Sequence, residues 1–231
     1  ESRVLIHGPS GSGKELVARK IHKDSLRNKK SFIIINGALL DSNKYELELF
    51  GEEKNNGAIS YGALEKSSGG TLMIDEISEI PLETQSKILR VLIDQKFKRI
   101  NGDHDIKVDV RIICTNSKDI SEEIINGNFR EDLYHRLNVF SIIIDPLNKR
   151  IEDIPLLVDY FLKHMCKNYN IKFFSINDSS YLLNYVWPGN VRELRNLIER
   201  VVILSQGQSE QQIINVIKES ISSKTADNNF S

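Results

Sequence analysis

The sequence predicts an α/β architecture: a parallel five-stranded sheet wound between helices, followed by a small all-helical region. Three observations predict it. Five short apolar runs are spaced along the first part of the chain, helical patterns separate them, and the strand-like runs stop after Pro146. The runs are "VLIH" (4–7), "FIII" (32–35), "TLMID" (71–75), "VRIICT" (110–115) and "VFSIII" (139–144). Their apolarity is continuous rather than alternating, which suits strands of a parallel sheet covered on both faces. Between Glu83 and Lys96, the residues Ile88, Leu89 and Leu92 fall on one face of a helix, and this alternation of strand and helix is the mark of a wound fold. Beyond Pro146, "EDIPLLVDYFLKHMCKNY", "DSSYLLNYV" and "NVRELRNLIERVVILS" read as helices, with Asp178 and Asn190 as candidate N-caps. The expected organisation is an α/β unit over 1–145, a helical unit over 146–207, and a C-terminal helix with a flexible tail over 208–231. The polar stretch from Ser220 onward is expected to fray.

Composition narrows the function classes. Hydrophobic content of 40% and charged content of 27% are those of an ordinary globular protein. A formal charge of −1 supplies no field that would draw the chain to nucleic acid or an anionic membrane. No apolar run approaches the roughly 20 residues that span a bilayer. Glu1-Ser2-Arg3 opens directly into a strand-like run with no leader pattern, so no membrane partner is expected. Cys114 lies inside "VRIICT" and reads as a small buried residue rather than a redox group, and Cys166 is far from it in sequence. The five histidines lack paired ligand spacing, so no structural metal is expected. The default is a cytosolic, reduced protein.

The chemistry begins at "GPSGSGKE". Gly8, Pro9, Ser10, Gly11, Ser12, Gly13 and Lys14 follow the first strand and open a helix, the pattern of a phosphate-binding loop. Glycines let the backbone curl so that its N–H groups point inward, and the helix N-terminus adds partial positive charge. Lys14 supplies a full charge for the β- and γ-phosphates of a nucleotide. Glu15 stands where Ser or Thr usually ligates magnesium. On this motif alone, a glycine-rich strand-to-helix turn remains the competing reading. "TLMIDE" adds two acids at the end of a buried run, an expensive placement unless something cationic meets them. Asp75 would hold Mg²⁺, directly or through water, and Glu76 would orient and deprotonate the attacking water. "IICTN" ends another strand with Thr115 and Asn116, which can reach the same edge and position water or simply cap a loop.

With these signatures in order, the chain resembles the central AAA+ ATPase domain of bacterial enhancer-binding proteins, the activators of sigma-54 RNA polymerase. The resemblance covers roughly residues 3–207 and rests on "GPSGSGKELVARKIH", "ELELFGEEK", "GGTLMIDEI", "TQSKILRVL", "GNFREDLYHRLNV", "EDIPLL" and "WPGNVRELRNLIERVVIL". The wording is most similar to nitrogen-regulation response regulators of the NtrC/NtrX type. The resemblance implies ATP and Mg²⁺ as ligands, a P-loop α/β subdomain and a helical lid. It implies that Glu15 is the family's own choice after the lysine. It implies that Asn36 holds the catalytic glutamate from water, and that Arg192 lets the lid feel the γ-phosphate. Arg130 and Arg136 match two arginines offered to a neighbouring subunit's ATP. They lie six residues apart, about 240° around a regular helix, so either the segment breaks or they divide the work. Surface ion pairs of these arginines with Glu131 or Asp132 are the alternative. Implied partners are copies of itself in a ring, a hexamer or heptamer, and RNA polymerase with sigma-54 or another sigma factor. DNA and a sensor histidine kinase would be met only through domains this chain does not contain. The chain accordingly reads as a fragment of a larger regulator, with less before its first strand than the family has.

One stretch departs from the family. Between "FGEEK" and the strand carrying the two acids, members have a GAFTGA tip that touches sigma-54. Here "NNGAISYGALEKSSGG" is shorter, and Gly57-Ala58-Ile59-Ser60 is a faint echo without the threonine. Residues 55–61 are expected to form a short, mobile connection. Two functions remain in play: an ATP-hydrolysing ring motor that remodels a transcription complex, and an ATP-dependent oligomerisation module of a DNA-binding regulator that does not remodel sigma-54 polymerase. A plain P-loop kinase would leave the arginines unexplained.

Overall fold

The computed structural model describes residues 2–38, 42–176, 180–204 and 210–227. The chain divides into two units. The first joins the residues up to Pro9 with Lys14–Ile144, and the second joins Ser10–Gly13 with the chain from Asp145 onward.

All five apolar runs of the first unit form strands. In chain order its elements are β1 (Val4–His7), α1 (Lys14–Lys23), β2 (Phe32–Asn36), α2 (Ser42–Phe50), β3 (Gly51–Glu53), β4 (Ile59–Tyr61), α3 (Ala63–Lys66) and β5 (Thr71–Asp75). There follow α4 (Leu82–Asp94), β6 (Lys96–Phe97), β7 (Ile106–Lys107), β8 (Arg111–Asn116), α5 (Ile120–Ile125), α6 (Glu131–Leu137) and β9 (Phe140–Ile143). The main sheet has the order β2-β5-β8-β1-β9, with every neighbouring pair parallel. Alternate side chains go to opposite faces, as the period of two requires. Leu5, Ile35, Leu72, Ile74, Ile112 and Cys114 join one core with residues of α2, α3, α4 and α6; Val4, Ile6, Met73 and Ile113 join another with Ala18 of α1. Both faces are thus buried along β1, β5 and β8, which is why those runs read as continuous, whereas β9 at the sheet edge leaves Phe140 and Ile143 exposed. The register sets Asn36 opposite Asp75 and His7 opposite Asn116, so the polar ends of four strands share one edge.

Helix α4 confirms its pattern: Ile88 and Leu92 are buried and Leu89 packs against the same core. It ends at Gln95, which takes the left-handed conformation (φ 51°) common just past a helix C-terminus. Residues 55–61, expected as a loose connection, are in part ordered strand. β3 and β4 pair antiparallel with Glu53 opposite Ile59, and β6 pairs with β7 in a second hairpin. The turn between β3 and β4 is closed by the Lys54 N–H on the Ala58 carbonyl (2.9 Å) and the Ala58 N–H on Asn56 Oδ1 (3.1 Å).

The second unit contains α7 (Asp153–Asn168), α8 (Ser180–Leu183), α9 (Asn190–Leu204) and α10 (Glu210–Asp227). Val158, Leu162, Met165, Leu194, Ile198, Val202, Ile213 and Ile217 build its core around the buried Trp187. The Trp187 Nε1–H donates to the Leu182 carbonyl at 2.8 Å, satisfying the one polar atom that burial would strand. Two expectations need correction. Asn190 does not cap α9 with its side chain: its φ is 52°, and the amide instead accepts from the Leu147 N–H (2.8 Å) and donates to the Ser10 carbonyl (3.0 Å). Glu193 reaches back to the Gly189 N–H (2.9 Å). The stretch from Ser220 continues as helix to Asp227, because Ile213 and Ile217, one turn apart, anchor α10 to the core. Asp178 and residues 228–231 lie outside the described residues. Among the described residues no helix is long and apolar enough to cross a membrane.

Candidate active site

The phosphate loop depends on left-handed backbone. Gly11 and Gly13 have φ of 76° and 105°, a region that side chains with a Cβ rarely adopt. At Gly11 space forbids one as well, since a Cβ would lie 2.3 Å from the Gly189 carbonyl oxygen. Repeated turning of this kind produces the concave set of amides that anions occupy. Lys14 opens α1 and is buried, with its ammonium donating to the Gly8 carbonyl (2.8 Å) and the Pro9 carbonyl (3.4 Å). The same ammonium lies 3.1 Å from Glu76 Oε1. Ser12 is buried, and its hydroxyl has no hydrogen-bond partner among the described residues.

The two acids are held differently. Asp75 ends β5, where the Asn36 amide donates to Oδ2 at 3.0 Å and the Thr115 hydroxyl donates to Oδ1. Asn36 therefore meets Asp75 rather than Glu76, and the reason is register: Asn36 is the direct neighbour of Asp75 across the β2–β5 ladder. Glu76 lies one residue further, in a left-handed turn (φ 53°, ψ 59°) that a residue with a side chain holds only under local constraint. Its Oε2 accepts both the Ser117 N–H (2.9 Å) and the Ser117 hydroxyl (2.6 Å). Burial pushes this carboxyl up, but the Ser117 hydroxyl, the Lys14 charge and the Ser117 N–H outweigh burial and hold it below the ordinary glutamate range.

Asn116 is engaged with the backbone in this structure. It is fully buried, its Oδ1 accepts the Ser78 N–H (3.3 Å) and its Nδ2 donates to the Lys118 carbonyl (2.6 Å). Its side chain secures the turn after β5. Side chains alternate along the strand end, so Thr115 and Ser117 reach the acids. Sequence reasoning missed Ser117; the signal was its place two residues beyond Thr115. The exposed carboxylate of Glu15 pairs with Arg19 at 2.7 Å, so this residue meets the loop through its backbone.

The arginines separate. Arg130 has extended backbone (φ −82°, ψ 128°) and sits immediately before α6, so the segment does break between it and Arg136. It grips Asp132 through Nε (3.0 Å) and Nη2 (2.7 Å), which holds the guanidinium pKa above its ordinary value. The Arg136 side chain is exposed in the last turn of α6, and its carbonyl accepts from Arg3 Nη1 at 3.1 Å. In the second unit, Arg192 Nη1 donates to the Ser10 hydroxyl at 3.3 Å, and Arg150 Nη2 donates to the Ser12 carbonyl at 2.7 Å.

Residues 1–143 match the family model described as "Sigma-54 interaction domain", and residues 148–229 match the "AAA+ ATPase lid domain". The chain belongs to the sigma-54 interaction domain family. It is an α/β AAA+ ATPase domain with a helical lid region, and its relatives are transcriptional regulators. The nitrogen assimilation regulatory protein NtrX of Azorhizobium caulinodans is 46% identical over 215 residues, 92% of this chain and 47% of that protein. Two crystal structures of NtrX from Brucella abortus are each 45% identical. The complex with ADP has a TM-score of 0.86 and is matched over 90% of this chain and 47% of that one. The complex with ATP has a TM-score of 0.85, with 90% and 49% covered. The chain spans about half the length of the curated relatives it matches.

In this member of the sigma-54 interaction domain family, the β3–β4 hairpin is tied to the segment after β6. Arg99 spans both oxygens of Glu65 (2.8 and 2.6 Å), reaches Glu53 (2.8 Å), and lies 5.4 Å from the centre of the Tyr61 ring. The Glu53 N–H donates to the Ile100 carbonyl and the Ile100 N–H to the Gly51 carbonyl, each at 3.0 Å.

Proposed function

We propose that the chain is the ATP-hydrolysing motor module of a bacterial transcriptional regulator of the nitrogen-regulation response-regulator type. The observation that carries this reading is the meeting of Lys14 with Glu76, one residue past Asp75, directly after a loop that turns on two left-handed glycines. Lys14 binds the β- and γ-phosphates, exchanging its carbonyl and carboxylate contacts for phosphate oxygens. The unpartnered hydroxyl of Ser12 supplies a further donor to the bound anion. Glu76 orients the attacking water and takes its proton. Asp75 would hold Mg²⁺: one carboxylate completed by water and phosphate oxygens is an ordinary magnesium site, and the donors Asn36 and Thr115 fix its orientation. When bound, Mg²⁺ neutralises charge on the phosphate oxygens.

Arg192, in contact with Ser10 of the loop, reports nucleotide state to the lid, and Arg130 and Arg136 act on the nucleotide of a neighbouring copy in a hexameric or heptameric ring. In the longer regulator the module works in the cytoplasm on RNA polymerase with sigma-54 or another sigma factor, and DNA and a sensor kinase are met through other domains. A second reading is favoured by one observation. The hairpin in the place of the GAFTGA tip has only three residues in each strand and is pinned by Arg99, which suits a module that oligomerises on ATP without remodelling sigma-54 polymerase.

The test is nucleotide binding measured beside turnover in the full-length regulator. Lys14→Ala should abolish binding, whereas Glu76→Gln should bind ATP and fail to hydrolyse it. Equal loss of binding in both variants would sink these assignments.

A further inference from the structure

Every oxygen of the Glu76 carboxylate has its own holder. Oε1 faces Lys14, and Oε2 takes two donors from one residue, Ser117. The Glu76 N–H is held as well, donating to the Thr115 hydroxyl at 3.2 Å. Asn36, the residue expected to restrain this glutamate, is committed elsewhere: its amide is on Asp75 and its oxygen accepts the Ala38 N–H at 2.9 Å.

We propose that Ser117 is the positioning residue for Glu76, pinning one carboxylate oxygen so that the oxygen Lys14 gives up on nucleotide binding is presented to water. This rests on the reading of Glu76 as the base. The two holders differ in what can displace them. Phosphate oxygens compete with Glu76 for the Lys14 ammonium, because anions seek the same cation. They do not displace a hydroxyl and an amide already bonded to a carboxylate. Departure of Lys14 therefore frees Oε1 and leaves Oε2 fixed. The left-handed backbone at Glu76 gives this restraint its importance, since a strained turn keeps its side chain in place only where surrounding groups over-determine it.

The experiment compares Ser117→Ala, Ser117→Thr and Glu76→Gln by ATP hydrolysis, with ATP affinity measured separately. Ser117 is exposed and alanine keeps its N–H, so the fold is not at stake. Ser117→Ala should lower kcat about tenfold, the low end of the loss seen when groups orienting a functional side chain are removed. KM and ATP affinity should stay unchanged, so that the loss falls on kcat alone. Ser117→Thr, which keeps a hydroxyl, should restore the rate. An unchanged kcat in Ser117→Ala, with Glu76→Gln inactive, overturns the role of Ser117 and leaves the base in place. Hydrolysis that survives Glu76→Gln overturns the base assignment itself.

Discussion

Replacing Arg99 with alanine should destabilise the first unit mainly through the carboxylate charge it strands, with the missing guanidinium packing a smaller effect. The Arg99 side chain is 11% exposed, and its partners Glu65 and Glu53 are 13% and 27% exposed. Truncation leaves the Glu65 carboxylate nearly out of water with its bidentate cation gone. Breaking a buried pair from one side costs about 3–5 kcal/mol, and the partial exposure of Glu53 argues for the lower end, about 3 kcal/mol. For a chain of this size each kcal/mol moves the melting temperature by roughly 2–4 °C, so Arg99→Ala should melt about 6–12 °C below the parent. Scanning calorimetry at neutral pH reads this directly, and hydrogen exchange at residues 51–61 should rise with it. The decisive variant is the double one. Arg99→Ala with Glu65→Gln removes the stranded charge and should regain much of the loss, because a neutral amide costs less to bury than an unpaired carboxylate. If the double variant melts no higher than Arg99→Ala, the penalty is not electrostatic and the reasoning fails.

Three further predictions follow from the same geometry. Subunits carrying Arg130→Ala and subunits carrying Lys14→Ala should each be inactive alone and regain activity when mixed. An arginine supplied in trans can be worth about 10³–10⁵ in rate, so absence of rescue in assembled oligomers would refute the shared site. Buried His22, with Nδ1 2.9 Å from Thr71 Oγ1, is kept below the ordinary histidine pKa by burial and the Arg111 charge, against the backbone hydrogen bond at Lys30. The unfolded chain therefore binds the extra proton first, stability should fall as pH drops below about 6.5, and His22→Gln should flatten that dependence in urea titrations at several pH values. The unmodified protein should not capture sigma-54 in a pull-down with a transition-state analogue, whereas grafting a GAFTGA loop between Lys54 and Gly62 should confer capture. Capture by the natural sequence that is lost on Ile59→Ala or Tyr61→Ala would make the hairpin a working contact.

The sheet was legible in the sequence because strands buried on both faces must be apolar at every position, and "TLMID" or "VRIICT" has no other simple explanation. The phosphate loop was legible because its glycines answer a backbone demand that few other residues meet. Side-chain destinations were not. Whether Asn36 meets Asp75 or Glu76 depends on the β2–β5 register, which no local pattern encodes. The choice between Asn116 and Ser117 turns on which side of the strand end faces the acids, and a single polar residue carries no mark of its side. Asn190 resembles an N-cap by residue type, but a positive φ turns its amide away from its own helix toward Leu147 and Ser10.

The hairpin of residues 51–61 shows how far composition can stray from structure when the deciding partner is distant. Asn55, Asn56 and Gly57 do form the turn, yet the strands beside it are held by Arg99, which nothing in their own sequence announces. That arginine follows α4, and α4 begins a few residues after Glu76, past the short turn Ile77–Glu79. A continuous run of chain therefore joins the proposed base to the residue that fixes the hairpin. Because Glu53 and Gly51 also exchange backbone hydrogen bonds with Ile100, β3 cannot shift against this segment without breaking two of them along with the Arg99 ion pairs. Any displacement of the hairpin with nucleotide state must carry the segment around Arg99 with it, or break this tie first.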